Sequence, residues 1–374
     1  MVDDFYVGIP EETESESSND DLFNITSWGA DPSVRELIMQ YQDGDIEKPE
    51  LQRKYVWTKK VASRFIESLL LGLPVPSIFL ANLASGKRLI IDGYQRIRTL
   101  VDYIDLGIWG GDDTVFRLYD TDLINKRWRG KSFKELDEDD KRRLRNYSLH
   151  AIIFEQKHPQ NDSGLYQVFE RINTSGTPLN DQEIRNCVYQ GSLNTLLFKL
   201  NENSQWRELN NGPVDSRMRD VELILRFFAL NTPNIYHSDE KSIVLKHVLN
   251  LYMTNYLNAN DIFLDERKAD FDNTIAFIYA NFGKEAFYNL QNDLVKLRRR
   301  LYPTVYDSIM IATSIAISQG YKADQGVDMN LRRLELLRDF EYRNSITQGT
   351  MRIENIKMRI SRALSILYQI EDYV

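Results

Sequence analysis

A strand that must run straight into a helix through a short polar turn dominates this sequence: residues 86–104, GKRLIIDGYQRIRTLVDYI. Arg88 to Ile91 reads as a short buried strand, whereas Ile97, Leu100, Val101 and Ile104 recur at helical spacing and form one apolar stripe. The period changes between them, so Asp92-Gly93-Tyr94-Gln95-Arg96 has to carry the turn. A helix start presents unpaired backbone N–H groups and the positive end of a dipole, which suits an anion. Arg96 adds fork-shaped donors matched to phosphate, and Asp92 can hold a divalent cation or orient a water. The same residues also have a purely structural account. Asp92 and Gln95 stand at capping-box spacing, and Gly93 suits a tight turn. These five residues alone leave both accounts open.

At 374 residues the chain is long for one core, and two domains are expected. One cysteine, Cys187, excludes a disulfide framework and any multi-cysteine zinc site and fits a reducing compartment. No secretory signal is visible, and the most apolar late run, Ile309 to Ile317, is too short to span a bilayer. The expected location is the cytoplasm, with no membrane partner. Residues 1–22 hold eight of the acidic side chains and no Lys or Arg, and read as a disordered acidic tail. Without them the formal charge of −8 vanishes, leaving 47 acidic against 47 basic residues. Overall charge therefore neither supports nor forbids a nucleic-acid surface, and local clusters must decide.

Taken in order, Val34, Leu37, Ile38 and Tyr41 predict a first helix, broken at Asp43-Gly44-Asp45. Thr58 is placed to cap a second helix with Val61, Phe65, Leu69 and Leu70 on its buried face. Gly72, Pro74 and Pro76 end it before a strand at 77–83. Just ahead of that helix, Gln52, Arg53, Tyr55 and Trp57 crowd polar and aromatic groups into one loop. Residues 114–119 and 148–155 are further strand candidates, separated by a charged, exposed helix whose Arg142, Arg143 and Arg145 read as a salt-bridged face. A helix containing Tyr166, Val168, Phe169 and Ile172 then runs into Asn173-Thr174-Ser175-Gly176-Thr177-Pro178, and Asn180 or Asp181 caps the next. Such a loop can wrap an anion or be a plain interhelical turn. From about Leu193 every segment, 284–301 included, shows helical periodicity, so this half is expected to be all-helical. It carries two basic clusters, Lys296 with Arg298, Arg299 and Arg300, and Arg352 with Lys357, Arg359 and Arg362. Either suits a nucleic-acid backbone or partner packing.

Neither a Gly-x-x-x-x-Gly-Lys-Ser/Thr loop nor a Gly-x-Ser-x-Gly elbow is present. No histidine follows His247, which argues against a histidine-dependent metal nuclease in the helical half.

Three stretches occurring in order resemble a family: Gln52-Arg53-x-Tyr-x-Trp57, Ile91-Asp92-Gly93-Tyr94-Gln95-Arg96, and Phe169 through Leu179. Together they resemble the N-terminal module of GmrSD-type modification-dependent restriction endonucleases, shared with SspE-like phage-defence proteins. The likeness extends over roughly 31–228, with Arg217-Met218-Arg219-Asp220 included. What the resemblance implies is an α+β, ParB/sulfiredoxin-like domain with a small mixed sheet over 23–190, ahead of an all-helical domain over 191–374. It implies an NTP-binding and NTP-hydrolysing module with Mg²⁺ in prokaryotic defence against phage or modified DNA. Asp92, Gln95 and Arg96 would be catalytic, with Asp92 the ligand to Mg²⁺. Gln52, Arg53, Gly93, Tyr94, Arg171, Asn173, Thr174 and Gly176 would bind the nucleotide and its phosphates. Tyr94 stands where the family's Asp-Gly-Gln-Gln-Arg motif has its first Gln, and the histidine-metal nuclease half of DNA-cutting relatives is missing. Two alternatives follow, a non-catalytic DNA-binding sensor that recruits a separate nuclease or other defence protein, and a ParB-like DNA nickase.

Overall fold

The structure, a computed structural model, describes residues 24–48, 57–83, 85–110, 114–158, 163–172, 180–210, 212–215, 217–236, 240–323 and 326–371. The acidic tail, Gln52, Arg53, Tyr55 and the loop bearing Asn173, Thr174 and Gly176 lie outside the described residues. Two compact units emerge, Asp21–Leu179 with Asn186–Val188, and Asn180–Arg185 with Tyr189–Val374.

The first unit opens with β1 (Asn24–Ala30) and α1 (Val34–Gln42). Ser33 and Glu36 start α1 reciprocally: the Ser33 N–H donates to Glu36 Oε2 at 2.6 Å, and the Glu36 N–H donates to Ser33 Oγ at 3.2 Å. After β2 (Ile46–Glu47), α2 (Lys59–Leu71) is capped by Thr58 and closed by Gly72 in the left-handed conformation, φ 72°. Its buried stripe is Ala62, Phe65, Ile66, Leu69 and Leu70, whereas Val61, on the flank of that stripe, is 44% exposed. β3 (Ile78–Asn82) and β4 (Arg88–Asp92) lead into α3 (Tyr94–Leu100), which continues as a π-helical stretch over Val101–Leu106. α4 (Glu138–Asn146), β5 (Ala151–His158) and α5 (Ser163–Ile172) complete the unit.

The sheet is mixed and five-stranded, in the order β1-β5-β3-β4-β2. β1/β5 and β3/β4 pair antiparallel, while β5/β3 and β4/β2 pair parallel. Leu37, Ile66, Ile78, Leu80, Ile90, Ile97 and Leu100 are all buried in one core. The segment read as a strand at 114–119 buries Phe116 and Leu118 in strand-like alternation, but makes only isolated bridges, Ile108 to Val115 and Arg117 to Ser132. Arg142 pairs with Asp139, Arg143 donates to the Leu70 carbonyl, and Arg145 lies over the Phe133 ring, as a structural face requires.

α6 (Asp181–Val188), capped by Asn180, is divided between the units at Arg185, and in the second unit α7 (Ser192–Asn201), α8 (Ser204–Leu209), α9 (Arg219–Leu230), α10 (Pro233–Tyr236), α11 (Leu245–Asn255) and α12 (Asp261–Phe282) follow. Asp220, in the first turn of α9, is fully buried. Its Oδ2 accepts from Arg207 Nη1 at 2.7 Å, Asn201 Nδ2 at 3.0 Å and the Asp215 N–H at 3.0 Å.

Next comes the departure from an all-helical reading. Residues 288–301 form a two-stranded antiparallel hairpin, β6 (Tyr288–Leu290) and β7 (Leu297–Leu301), so this unit is mostly rather than wholly helical. Asp293 fixes the turn by accepting the N–H groups of Val295 and Lys296, which competes with continued helix. α13 (Pro303–Ser318), α14 (Met329–Arg338), α15 (Phe340–Thr347) and α16 (Ile353–Ala363) finish the chain. The basic cluster read on the last helix does not form one exposed face: Arg352 is exposed, but Arg359 is wholly buried, and Arg362 pairs with Asp339 at 2.7 Å. No helix among the described residues is long and apolar enough to cross a membrane.

Candidate functional site

The strand-to-helix turn is built around Gly93. It is the N-cap of α3 at φ 104° and ψ 6°, a left-handed conformation that favours glycine. A Cβ here would lie 2.5 Å from Ile78 Cγ2 on β3, so the position also lacks room for a side chain. No side chain caps this helix. The capping-box account of Asp92 and Gln95 is therefore replaced by a different arrangement.

The Asp92 carboxylate takes its partner from one helical turn along the chain. Arg96 Nη2 donates to Asp92 Oδ2 at 2.5 Å, while Arg96 Nη1 donates to the Pro76 carbonyl at 3.0 Å. The exposures are unequal: the Arg96 side chain is 10% exposed and that of Asp92 48%. A buried guanidinium with a fixed fork thus orients a carboxylate that faces outward. Asp92 Oδ1 has no hydrogen-bond partner among the described residues.

Gln95 links this turn to the preceding polar stretch. Its Oε1 accepts the backbone N–H of Trp57 at 3.3 Å, which brings the end of the Gln52–Trp57 segment to the start of α3. Trp57 itself packs on the core and meets Phe65 edge-on at 5.6 Å, as an aromatic plug would. Tyr94 packs against the same core, beside Tyr41, Arg98 and Asp102. Burial pushes its phenol up to about 12, with Tyr41 adding to the effect, so the hydroxyl stays protonated at neutral pH. Behind it, the buried Asp102 carboxylate lies 2.8 Å from Arg98 Nε. Burial pushes the Asp102 carboxyl up against the pull of Arg98.

Arg171 is exposed at the end of α5 and bonds to no described residue. Of the three polar stretches, the structure joins the first two at Trp57 and Gln95; Asn173, Thr174 and Gly176 of the third fall outside the description. Sequence reasoning missed the Pro76 carbonyl, which no side-chain pattern can reveal, and the Arg98–Asp102 pair, whose i,i+4 spacing was visible. No cluster of three or more His, Cys, Asp or Glu side chains suited to a metal exists among the described residues.

Among curated proteins, no match to the chain is found. Residues 34–190, a little under half of the chain, match the family described as the GmrSD restriction endonuclease N-terminal domain. The matched span contains the Asp92–Arg96 turn, the helix bearing Arg171, and β2 through β5 of the sheet. Over this span the chain is similar to the N-terminal domain of GmrSD restriction endonucleases.

Proposed function

We propose that the module binds a nucleoside triphosphate at the Asp92–Arg96 turn and works in a restriction or anti-phage defence system. The observation that carries this reading is the half-exposed Asp92 carboxylate, held from behind by the buried Arg96, at the mouth of a glycine-capped helix start. The Gly93 and Tyr94 backbone would face the phosphates, with Gln52, Arg53, Arg171 and the Asn173–Gly176 loop closing around them. Asp92 would hold Mg²⁺ through its open oxygen. A single carboxylate suits that ion, which keeps several waters and takes substrate phosphates as its other ligands. When bound, Mg²⁺ would neutralise phosphate charge. Arg96 would set the position of Asp92, and Gln95, tied to Trp57, would line the same mouth and orient the attacking water. A ParB/sulfiredoxin-like fold for this unit is consistent with its mixed five-stranded sheet. Action in the cytoplasm on phage or modified DNA, alongside a separate nuclease, belongs to the same reading.

Calorimetric titration of the full chain with each common ribonucleoside triphosphate and Mg²⁺ tests it. Wild type is expected to bind at least one of them. Asp92→Ala and Arg96→Lys should each weaken that binding by at least about tenfold, some 1.4 kcal/mol. A folded wild type that binds none of the triphosphates would refute the proposal.

Turnover is a separable outcome, because Tyr94 occupies the motif's first Gln position and its ring packs on the core. Binding without phosphate release would favour a sensor subunit that delivers a separate nuclease to DNA.

A further inference from the structure

The hairpin β6–β7 lies outside the matched segment and carries an unusual concentration of charge. Lys296, Arg298, Arg299 and Arg300 follow one another almost without interruption, with Asp293 the only acidic residue between Tyr288 and Leu301. None of these four cations forms an ion pair with a described residue. Several exposed arginines elsewhere are paired, Arg117 with Glu135, Arg142 with Asp139, Arg352 with Glu354 and Arg362 with Asp339, and the lone ones unpaired among the described residues, such as Arg35 and Arg64, are not clustered as these are. Asp293 does not fill the gap, since its Oδ1 accepts the N–H groups of Val295 at 3.0 Å and Lys296 at 3.1 Å.

Two of the guanidinium groups converge on one neutral oxygen. Tyr302 Oη accepts from Arg298 Nη1 at 3.1 Å, and from Arg300 Nε and Nη2 at 3.1 and 2.8 Å. Arg298 Nη2 is held further by Asn292 Oδ1 at 2.6 Å, and Arg300 lies 4.9 Å from the centre of the Tyr302 ring. Like charges drawn together around an uncharged atom repel each other, and an anion bound beside them relieves that repulsion. Their side chains are already positioned, so little rotamer entropy would be lost on binding. Arg298 and Arg300, two residues apart on a strand, share one face at a separation of roughly 6.6 Å. Lys296 and Arg299 are exposed beside them.

We infer that β6–β7 is a contact surface for the phosphodiester backbone of duplex DNA. A two-stranded ribbon fits the dimensions of a DNA major groove. At its tip, Gln291, Asn292, Asp293 and Arg298 line an open polar hollow of about 400 Å³. Amide and guanidinium groups are the ones that pair with base edges. The only strongly exposed apolar residue at the turn is Val295, 70% exposed, too little for insertion into a lipid surface. This surface does not depend on nucleotide binding in the first unit and would stand if that binding were refuted.

Fluorescence anisotropy with a short unmodified DNA duplex, without nucleotide, tests the inference. Wild type should bind, with an affinity that falls steeply between about 50 and 200 mM salt. In Lys296→Glu/Arg299→Glu, where both residues are exposed and neither side chain is in an ion pair with a described residue, affinity should drop at least about tenfold. Losing these two contacts should also reduce the slope of log affinity against log salt by roughly 1.8. Arg298→Lys/Arg300→Lys keeps the charge but loses the fork, and should weaken binding with little change in slope. The far-UV circular dichroism of each variant should match wild type. Absence of duplex binding by wild type at low salt, equal binding by the charge-reversed variant, or binding to phosphatidylserine-rich vesicles in place of DNA would each overturn the inference.

Discussion

Replacing Asp307 with alanine is expected to destabilise the helical unit by about 3–5 kcal/mol, the cost of removing one partner from a buried ion cluster. Asp307 is fully buried on α13. Arg226 grips it bidentately, Nε to Oδ1 at 3.1 Å and Nη2 to Oδ2 at 2.6 Å. Arg359, also wholly buried, brings Nη2 within 3.8 Å of Oδ2 and donates Nη1 to the Thr350 carbonyl at 2.6 Å. Burial pulls the Arg359 guanidinium below its ordinary value, and the Asp307 carboxylate is the largest influence opposing that pull. Without it, two cations face each other in a medium of low dielectric with no counter-charge. A thermal melt followed by far-UV circular dichroism should show the midpoint falling by roughly 6–20 °C. Replacing Arg226, Asp307 and Arg359 together with Met, Leu and Met should recover most of the loss, because an apolar cluster of similar volume carries no desolvation cost. A single variant melting within about 2 °C of wild type would mean that the cluster contributes little.

The second large effect concerns the turn. Gly93→Ala should destabilise the first unit by roughly 2–5 kcal/mol, combining left-handed strain of about 1–2 kcal/mol with overpacking of about 1–3 kcal/mol. The new Cβ would stand 2.5 Å from Ile78 Cγ2, 2.9 Å from its Cβ and 3.3 Å from its Cα. Rotating the Ile78 side chain moves only the first of these, so β3 would have to shift against β4. Because the Pro76 carbonyl that holds Arg96 lies just before β3, the same shift would loosen Asp92. In urea titrations, Ile78→Ala should cost less in the Gly93→Ala background than in wild type, with a coupling of about 1 kcal/mol or more. Strict additivity would exclude the steric explanation.

How much of this could be read in the sequence follows from where each signal is local. The turn from β4 into α3 was legible because hydrophobic period changes from strand to helix within five residues. Thr58, Gly72 and Asn180 were legible because a cap is decided by its immediate neighbours. β1 was not read: it is an edge strand whose Ser27, Trp28 and Gly29 are exposed, so apolar alternation is lost. The hairpin reads as helix in the sequence because Phe287, Leu290, Leu294, Leu297 and Leu301 recur at helical spacing, whereas its decisive contacts are those of the Asp293 side chain and the Tyr302 hydroxyl. Arg359 looked like a surface cation because its partner, Asp307, sits on a different helix.

At the candidate site, the Asp-Gly-x-Gln-Arg spacing marks the strand-to-helix turn but not the bonds its side chains make. Asp92 and Gln95 were suited to capping by spacing alone. Yet Gly93 takes the cap position, which turns Asp92 to Arg96 and leaves Gln95 to meet the Trp57 backbone. The choice between these bonds depends on the Pro76 carbonyl and on the approach of Ile78, both brought in by β3 and its preceding segment.

Amide hydrogen exchange of the full chain, with and without each ribonucleoside triphosphate and Mg²⁺, would localise the bound molecule directly. The first-turn N–H groups of a helix lack intrahelical acceptors and exchange readily unless a ligand covers them. Slower exchange at Tyr94, Gln95 and Arg96 in the presence of a triphosphate, abolished by Asp92→Ala, is the expected result. Unchanged exchange at these three residues under saturating nucleotide would contradict a nucleotide site at the Asp92–Arg96 turn.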